Sequence, residues 1–458
     1  MLIVFTCLFF ISLLLIVRDS IVLNLHIVRS WKWSQKNNVI DNDLFLRSES
    51  VKPNIYVLIP VLQEQAVICK TLDHILKMKY NGLKQIIVIT AEKEIKENNG
   101  VLKGTTPDIV QKHIDNNKLN KFVKIVHYTS IKGGKSEQLN CGLEYLLTEE
   151  NIDRKNSYVT LYDADSRPEY PTFTKFSELI YSYYSKYKKL PTAIQQPSLF
   201  LRNFNDVSLY PKLEALFSTR WVLGHEIRAQ LNSVKYKSNW RAPYAYVVGH
   251  GMYIRADFLE NTKGFSVPYD DIHMGQRLDF LGKSIHPLTV YDICDVAPST
   301  SEIVKQSGRW FGGGLIWSEF FRTIKLGVKT NPVRNVVLLL KGIVDSFSWM
   351  HYLLHFISLI FITLTTLDFN YLIISLVFIS LDSILGIILM LKYLPNMGKI
   401  SNVDIKLNSW SKIILCLLAP VRGIIRGIGP ILWFAHLVKS FIKGDYELSK
   451  TARTINKN

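Results

Sequence analysis

The 458-residue sequence contains few cysteines and no closely spaced pair of them. Its five cysteines are far apart along the chain, and none forms a CxxC motif: Cys7, Cys69, Cys141, Cys294 and Cys416. This pattern predicts neither a disulfide framework nor a zinc site. It suits a folded domain that lies in a reducing compartment such as the cytoplasm.

Acidic residues are also scarce. The sequence has 38 Asp and Glu against 55 Lys and Arg, which gives a formal net charge of +17. A nucleic-acid binder, a protein on an anionic membrane surface and a binder of phosphorylated substrates can each carry such a charge. No basic run with interleaved aromatic residues occurs, so we expect no nucleic-acid partner. Basic residues that flank apolar membrane segments on the cytoplasmic side explain much of the excess positive charge.

Long apolar runs are confined to the two ends of the chain. Near the N-terminus, no Lys or Arg precedes the apolar run that ends at Val17, and no small-residue cleavage site follows it. A secretory signal peptide has both features, so residues 1–28 are predicted to form an uncleaved membrane anchor. Arg18 and later basic residues place its downstream side in the cytoplasm.

The C-terminal part is predicted to be a membrane region over residues 331–445, followed by a cytoplasmic tail over 446–458. Residues 346–367 and 371–391 are each long and apolar enough to span a bilayer. Residues 410–441 are apolar but contain two prolines and two arginines. Because both flanks of this last segment are basic, we expect a hairpin, a re-entrant segment or two half-helices there.

Between these ends, residues 52–330 are typical of an α/β domain. Short apolar runs predict strands, and one amphipathic pattern predicts a helix between the first two. The predicted strands are 55–59, 86–90, 123–128 and 158–162, and the helix is 66–79. Strands that alternate with helices indicate a parallel sheet covered on both faces. The aromatic-rich segment 207–231 is either a helix on the membrane surface or an ordinary core helix.

Two carboxylates, Asp163 and Asp165, follow the last of these strands in the motif DAD. Ligands of parallel sheets bind beyond the carboxyl ends of the strands. Oxygen ligands suit a hard divalent cation such as Mg²⁺ or Mn²⁺, which commonly bridges a diphosphate. A lone DxD is also common in a solvated turn.

Two further motifs precede the acidic pair. Glu64 ends the motif PVLQE, where its carboxylate either accepts from a nucleobase or ribose hydroxyl or favours the start of the next helix. Lys135 lies in KGGKS, but Thr129 occupies the position where a P-loop requires glycine, which excludes that motif. A Gly-Gly-Lys turn that opens a helix still places a cation near a phosphate.

Two more motifs follow the acidic pair. In GHG, the glycines beside His250 allow a ligand to approach the backbone at Gly251, although His250 is equally well explained as an ordinary loop histidine. In YDD, one of Asp270 and Asp271 can take a proton from an acceptor hydroxyl, or the pair simply caps a helix.

The last motif, QSGRW, contributes Gln306, Arg309 and Trp310 just before the membrane region. Trp310 offers a flat apolar face for a sugar ring or a base, and Arg309 offers a fork for a diphosphate. An Arg-Trp pair at a membrane interface is also unsurprising in itself.

The order of these motifs resembles that of the family 2 inverting glycosyltransferases. In chain order they read PVLQE, GGKSEQLN, DAD, IQQPSLF, GHG, YDD and QSGRW. Within the family, the chain is most similar to the membrane-integrated cellulose, hyaluronan and chitin synthase-like group, and ceramide glucosyltransferases share part of the pattern. The resemblance covers about residues 52–320. It implies a GT-A-type, Rossmann-like α/β domain with transmembrane helices at both ends.

The resemblance also implies roles for the donor site. Asp163 is expected to bind the nucleotide diphosphate, and Asp163 and Asp165 are expected to hold Mg²⁺ or Mn²⁺. Glu64 and Lys135 match positions near the base, ribose and phosphate. The strand at 86–90 is followed by Ala-Glu-Lys-Glu where the family has an Asp-rich turn, so Glu92 is the candidate substitute.

For the acceptor side, the resemblance makes Asp271 the general base, although the motif reads YDD rather than Thr-Glu-Asp. His250, Gly251 and Asp270 are expected near the acceptor. The QxxRW match implies that three residues close over the nucleotide and the acceptor end: Gln306, Arg309 and Trp310.

These expectations predict a metal-dependent inverting glycosyltransferase in the inner or plasma membrane, with its catalytic domain in the cytoplasm. The expected donor is a nucleotide sugar of the UDP-sugar class, which would supply sugar units to a growing polysaccharide that is exported. One alternative is single transfer to a lipid or lipid-linked acceptor, and a remote one is a non-catalytic nucleotide-binding membrane protein. The oligomeric state stays open.

Overall fold

The computed structural model describes residues 1–38, 42–48, 50–236, 240–241, 243–315, 317–328 and 330–443. The predicted tail over 446–458 lies outside the described residues. Within them, nine strands form a seven-stranded sheet and a separate two-stranded sheet. The strands are β1 (Asn54–Pro60), β2 (Lys84–Ala91), β3 (Val123–Tyr128), β4 (Ser157–Leu161), β5 (Ala193–Gln195), β6 (Ser198–Leu199), β7 (Met252–Arg255), β8 (Ile285–Pro287) and β9 (Asp292–Ile293).

The large sheet has the order β3-β2-β1-β4-β7-β5-β8. Strands β1 to β4 are mutually parallel, and β7 runs antiparallel to both of its neighbours. The small sheet pairs β6 with β9 in parallel. All four strands predicted from the sequence are present, with ends within two residues of the prediction. The carboxyl ends of β1, β2 and β4 therefore meet at one edge of the sheet, where ligands of such sheets bind.

The helices are numbered along the chain. They are α1 (Leu2–Asn37), α2 (Asn42–Ser48), α3 (Ile68–Lys77), α4 (Glu92–Glu97), α5 (Thr106–Asn116), α6 (Lys135–Thr148), α7 (Thr172–Tyr187), α8 (Leu209–Trp221), α9 (Ile227–Tyr236), α10 (Ala256–Asn261), α11 (Ile272–Phe280), α12 (Thr300–Gly314), α13 (Trp317–Lys325), α14 (Pro332–Phe347), α15 (His351–Thr366), α16 (Asn370–Ile379), α17 (Leu385–Ser401) and α18 (Ser409–Lys443). Single π-helical turns join α8 to α9 and α16 to α17.

The sheet is buried on both faces, which explains why its strands are continuous apolar runs. Val57 packs on one face with the helix α3, and Leu58 packs on the other face with Leu139 of α6. In α3, the apolar residues Ile68 and Leu72 are fully buried. The helix predicted at 66–79 is thus confirmed, two residues shorter at each end.

The segment 207–231 forms α8, the π turn and the start of α9, and it is a core helix. Leu213 and Leu216 are fully buried, and they belong to one apolar cluster with Ile387 of α17 and Leu415 of α18. The α/β domain and the C-terminal helices therefore share this cluster, and the segment is buried within it.

Three helices are long and apolar enough to cross a membrane: α1, the continuous helix Asn370–Ser401 and the helix Ser409–Lys439, in the part of the chain that the structure describes. A fourth crossing is formed if α14 and α15, which meet at a 62° bend, count as one broken span. The span predicted at 346–367 is corrected, because the bend lies at its beginning and the apolar helix starts at His351.

The hairpin, re-entrant segment or pair of half-helices expected at 410–441 is not found, because α18 is one helix of 35 residues. Pro420 and Pro430 lie inside it without ending it. Neighbouring helices can supply partners for backbone groups that proline frees in such a helix. The two arginines are also accommodated, because Arg422 and Arg426 both bind Glu214 of α8, at 2.7 and 3.0 Å.

Candidate active site

The carboxyl ends of the central strands open on a cavity of about 970 Å³. The loops after β1 and β4 line it, together with the start of α6, the start of α11 and one face of α12. Most of the residues predicted for the site line this cavity: Glu64, Lys135, Asp163, Asp165, His250, Asp270, Asp271, Gln306, Arg309 and Trp310. Residues spread over about half of the sequence thus surround one space that is large enough for a nucleotide sugar.

Lys135 connects the motifs at the floor of the cavity. Its Nζ donates to Asp163 Oδ1 at 2.9 Å and to the carbonyl oxygen of Gly249 at 3.0 Å, and it lies 3.9 Å from Asp270 Oδ2. Burial lowers the pKa of Lys135, but the attraction of Asp163, Asp270 and Asp271 outweighs burial and raises that pKa. Lys135 therefore stays charged and holds the acidic residues together.

Gly134 positions this lysine at the start of α6. Its backbone N–H donates to Glu137 Oε2 at 2.8 Å. This is the contact of a capping box in which the side chain at the third helical position accepts from the N-cap backbone. The preceding Gly133 has φ +102°, a conformation that side chains disfavour. The two glycines thus allow the tight turn from which Lys135 reaches into the cavity.

The two carboxylates of the YDD motif have different environments. Asp270 is 6% exposed and accepts from Ser136 Oγ at 3.3 Å. Burial raises the pKa of Asp270, although Lys135 opposes the rise. Asp271 caps α11, because its Oδ1 accepts from the backbone N–H of Ile272 at 2.7 Å. A Cβ at Gly249 would lie 3.0 Å from Asp271 Oδ2, so this oxygen faces the GHG loop.

The second carboxylate of the DAD motif is held by an arginine that the sequence analysis did not identify. Arg202 Nη2 lies 3.1 Å from Asp165 Oδ2, and its other nitrogens bind the Asp165 carbonyl and the carboxylate of Asp295. Asp163 and Asp165 both line the cavity and offer only oxygen ligands, which is the donor set that Mg²⁺ and Mn²⁺ prefer. These residues therefore fit a hard divalent cation.

The residues of the QSGRW motif lie on α12 and divide between two faces. Gln306, Arg309 and Trp310 line the cavity. On the other face, Ser307 Oγ donates to the carbonyl oxygen of Arg426 at 2.9 Å, and a Cβ at Gly308 would lie 2.8 Å from the carbonyl oxygen of Gly429. The motif thus connects the cavity directly to α18.

A second, smaller cavity of about 70 Å³ adjoins the first one among the apolar helices. Three residues line both cavities: Trp221, Trp349 and Arg426. The guanidinium of Arg426 lies 4.3 Å from the ring centre of Trp349 and 5.7 Å from that of Trp310. Cationic and aromatic groups therefore mark the passage between the two spaces.

Ion pairs surround the smaller cavity. Arg220 of α8 binds Asp382, and Tyr352 of α15 donates to the same carboxylate at 2.6 Å. Charged groups among membrane helices are costly and mark functional sites by default. The sequence analysis noted Arg422 and Arg426 only as interruptions of an apolar run. Their partner Glu214, on another helix, could not be identified from spacing.

Two predicted residues lie elsewhere than expected. Glu92 is not among the described residues that line the cavity, and its carboxylate lies 2.9 Å from His127 Nε2. The nearby Glu94 is the buried one, and it accepts from the backbone N–H groups of Gln63 and Thr106. Gly251 packs against Gln196 rather than lining the cavity, in the part of the chain that the structure describes.

The sheet order, the acidic loop after β4 and the cavity between them define a glycosyltransferase with a GT-A-type α/β domain. The chain belongs to the glycosyltransferase like family 2, whose sequence model matches residues 53–313. This match confirms the predicted family and fold. It does not extend to the narrower cellulose, hyaluronan and chitin synthase-like group.

A comparison with solved structures finds matches of low sequence identity, and those given below have TM-scores under 0.5. One is the mannosyltransferase PcManGT from Pyrobaculum calidifontis in complex with GDP-Man and Mn²⁺, at 13% identity and a TM-score of 0.48, with 91% of this chain and 99% of that chain covered. Another is glucosyl-3-phosphoglycerate synthase from Mycobacterium tuberculosis with Mn²⁺, UDP and phosphoglyceric acid, at 15% identity and a TM-score of 0.34, with 62% and 83% covered. A comparison with curated protein sequences finds no match.

Proposed function

We propose that this glycosyltransferase uses a UDP-sugar to extend a polysaccharide at a membrane, with inversion at the anomeric carbon. The observation that carries this proposal is the convergence of four motifs on one cavity. The carboxylates of DAD, the lysine of GGKS, the acidic pair of YDD and the three residues of QSGRW all line it.

On the donor side, Lys135 and Arg309 would neutralise the diphosphate, and Glu64 would accept from the base or the ribose. Asp163 and Asp165 would hold Mg²⁺ or Mn²⁺, which would supply positive charge to the departing diphosphate. Glu92 is left out of this proposal because it pairs with His127 away from the cavity wall.

Asp271 would act as the general base. Its Oδ2 would take the proton of an acceptor hydroxyl while that oxygen attacks the anomeric carbon from the side opposite the diphosphate. One bond to the acceptor oxygen forms, the bond to the diphosphate oxygen breaks, and the diphosphate leaves with the electron pair. Such a single displacement inverts the configuration. Lys135 would hold the neighbouring carboxylates in place.

The acceptor would lie between Asp271 and the apolar helices. His250 and Asp270 border this part of the cavity, and Trp310 offers a flat face for a sugar ring. We place residues 1–28 and 331–445 in the inner or plasma membrane and 52–330 on its cytoplasmic side. A polysaccharide that grows at Trp310 would then leave past Trp349 and Arg426.

A single transfer to a lipid-linked acceptor is the second candidate. The observation that favours it is the size and charge of the smaller cavity, which is only about 70 Å³ and contains Arg220, Arg422 and Arg426. Arg220 is paired with Asp382, but Arg422 and Arg426 share the single carboxylate of Glu214, so a phosphate head group would suit this pair better than a neutral sugar chain does.

Nucleotide release from purified protein tests the reaction, and the size of the product tests the acceptor. We expect release of UDP from at least one member of a UDP-sugar panel, dependent on Mg²⁺ or Mn²⁺. A ladder or a long polymer would support the polysaccharide. A product with one added sugar in lipid extracts would replace it with the second candidate. Absence of UDP release across the panel, together with turnover of another nucleotide sugar, would overturn the choice of UDP.

A further inference from the structure

Three side chains with metal-binding chemistry meet behind the DAD loop: His250, Asp292 and Cys294. His250 Nδ1 lies 2.9 Å from Asp292 Oδ2, and Cys294 Sγ lies 3.6 Å from both of these atoms. The cysteine pattern of the sequence predicted no zinc site. The fold nevertheless brings His250, which lies 44 residues before Cys294, next to Cys294 and the adjacent carboxylate of Asp292.

Each of the three side chains belongs to a backbone segment that is already fixed. Asp292 is fully buried, and its Oδ1 accepts from the backbone N–H of Arg167 at 2.9 Å. The carbonyl oxygen of His250 accepts from Gln195 Nε2 at 2.9 Å. The backbone N–H of Cys294 donates to the carbonyl oxygen of Leu199 at 2.9 Å, next to the β6–β9 pair. The potential ligand atoms are therefore held in place before any ion arrives.

The distances between these atoms can be compared with the edges of a zinc tetrahedron. Bond lengths of about 2.3 Å to sulfur and about 2.1 Å to nitrogen or oxygen give edges of about 3.6 Å from sulfur and about 3.4 Å between nitrogen and oxygen. Both distances from Cys294 Sγ are 3.6 Å. The edge between His250 and Asp292, now a hydrogen bond of 2.9 Å, would lengthen by about 0.5 Å.

We propose that His250 Nδ1, Asp292 Oδ2 and Cys294 Sγ bind one Zn²⁺ ion. His250 and Cys294 line the large cavity, so the fourth position of the ion would face that space and take a water or a substrate oxygen. The thiol of Cys294 loses its proton to solvent when the ion binds. A ligand set that includes sulfur and nitrogen selects a softer ion than the one that Asp163 and Asp165 select, because these two residues offer oxygen alone.

The site would also influence the donor site. Asp292 holds Arg167, which lies two residues after Asp165 in the chain. Cys294 is followed by Asp295, whose carboxylate binds the same Arg202 that holds Asp165. An ion that fixes Asp292 and Cys294 would therefore fix the loop that presents the DAD carboxylates.

Cobalt substitution tests this site without any measurement of activity. Full-length protein in detergent is stripped with a chelator and titrated with Co²⁺ in excess Mg²⁺, which occupies all-oxygen sites. We expect a thiolate-to-cobalt charge-transfer band with one Co²⁺ per chain, and loss of the band on addition of Zn²⁺. Cys294→Ser and Asp292→Asn should abolish or weaken it. Cys141→Ser, a change in α6 outside the cluster, should leave it intact.

A folded wild-type protein that gives no thiolate band would overturn the proposal, and so would a band that survives Cys294→Ser. The thermal unfolding midpoint of wild type with and without Zn²⁺ supplies a second measurement that needs no variant, and we expect the ion to raise it. Asp165→Asn separates the two metal sites, because it should leave the cobalt band unchanged. The band is also independent of the proposed sugar transfer, so either assignment can fail without the other.

Discussion

Asp271→Asn separates the chemical role of Asp271 from its structural role. Asp271 begins α11 and accepts from the backbone N–H of Ile272 at 2.7 Å through Oδ1. The amide oxygen of asparagine can accept the same bond, and Asn and Asp are nearly equal as N-cap residues, so the free energy of unfolding should change by less than about 0.5 kcal/mol. Asp271→Ala, by contrast, removes the cap and should cost about 1 kcal/mol.

The rate should respond very differently. An amide cannot take the proton of an acceptor hydroxyl, and general-base catalysis contributes about 10²–10⁴-fold. We therefore expect kcat for sugar transfer to fall by that factor, which is an increase of about 2.7–5.5 kcal/mol in the activation barrier. The affinity for UDP should stay nearly constant, because the donor-side residues and Lys135 remain.

The assay combines UDP release in the presence of acceptor with thermal unfolding and UDP titration of the same samples. Asp153→Asn is the matched control. Asp153 also begins a helical turn, where its side chain accepts from the backbone N–H groups of Lys155 and Asn156 at 3.1 and 3.2 Å, far from the cavity. Neither its rate nor its stability should change.

Two outcomes would refute the reasoning. A rate for Asp271→Asn within about fivefold of wild type would show that Asp271 is not the base. A large loss of rate with an equally large fall in the unfolding midpoint would show that the side chain is needed for the fold instead. Asp270, the buried neighbour, would then be the next residue to test.

Further predictions concern the surroundings of the site. Gly249→Ala should lower kcat/KM by about 100-fold in the UDP-release assay, because its methyl group would lie 3.0 Å from Asp271 Oδ2 and Lys135 Nζ. Gly312→Ala should lower activity and the unfolding midpoint, because its Cβ would overlap Trp433 and Tyr269, whereas Gly314→Ala, with contacts no shorter than 3.8 Å, should do neither. Burial raises the pKa of Glu226 to about 7. The neutral form therefore contributes stability at low pH, and this stability is lost as the pH rises through about 7. Glu226→Gln should raise the unfolding midpoint at about pH 8.5 but not at about pH 5. Chelation should abolish UDP release, and Mg²⁺ or Mn²⁺ should restore it. UDP release that persists after chelation would show that the DAD carboxylates bind no catalytic ion.

Much of the catalytic domain could be predicted because its signals are local. The strands β1, β2 and β4 are buried on both faces and read as short apolar runs. The helix α3 shows its buried stripe in the spacing of Ile68, Leu72 and Ile75. The motifs that border the cavity could be found because their order along the chain is itself a signal. The sequence alone could not show that His127 lies beside Glu92.

The features that were missed depend on partners far away in the sequence. Arg202 binds Asp165 and Asp295 at once, and Glu214 binds two arginines more than 200 residues later. The arginines of α18 looked like breaks in an apolar span because their partner, Glu214, lies on another helix. In the cluster of His250, Asp292 and Cys294, the last two are neighbours in the chain, but His250 lies 42 residues before Asp292 and could not be assigned to them.

The two faces of α12 explain how the QSGRW motif borders both the cavity and the apolar helix α18. Gln306, Arg309 and Trp310 are spaced three and one residues apart and share one side of the helix, which faces the cavity. The opposite side carries Ser307, Gly308 and Gly312, where small residues allow α18 to approach closely. Across this contact, Trp433 Nε1 of α18 donates to the hydroxyl of Tyr269, two residues before Asp271. A shift of α18 would therefore move Arg309 and the loop that carries the proposed base together, so an acceptor that displaces this helix would act on both substrates of the reaction.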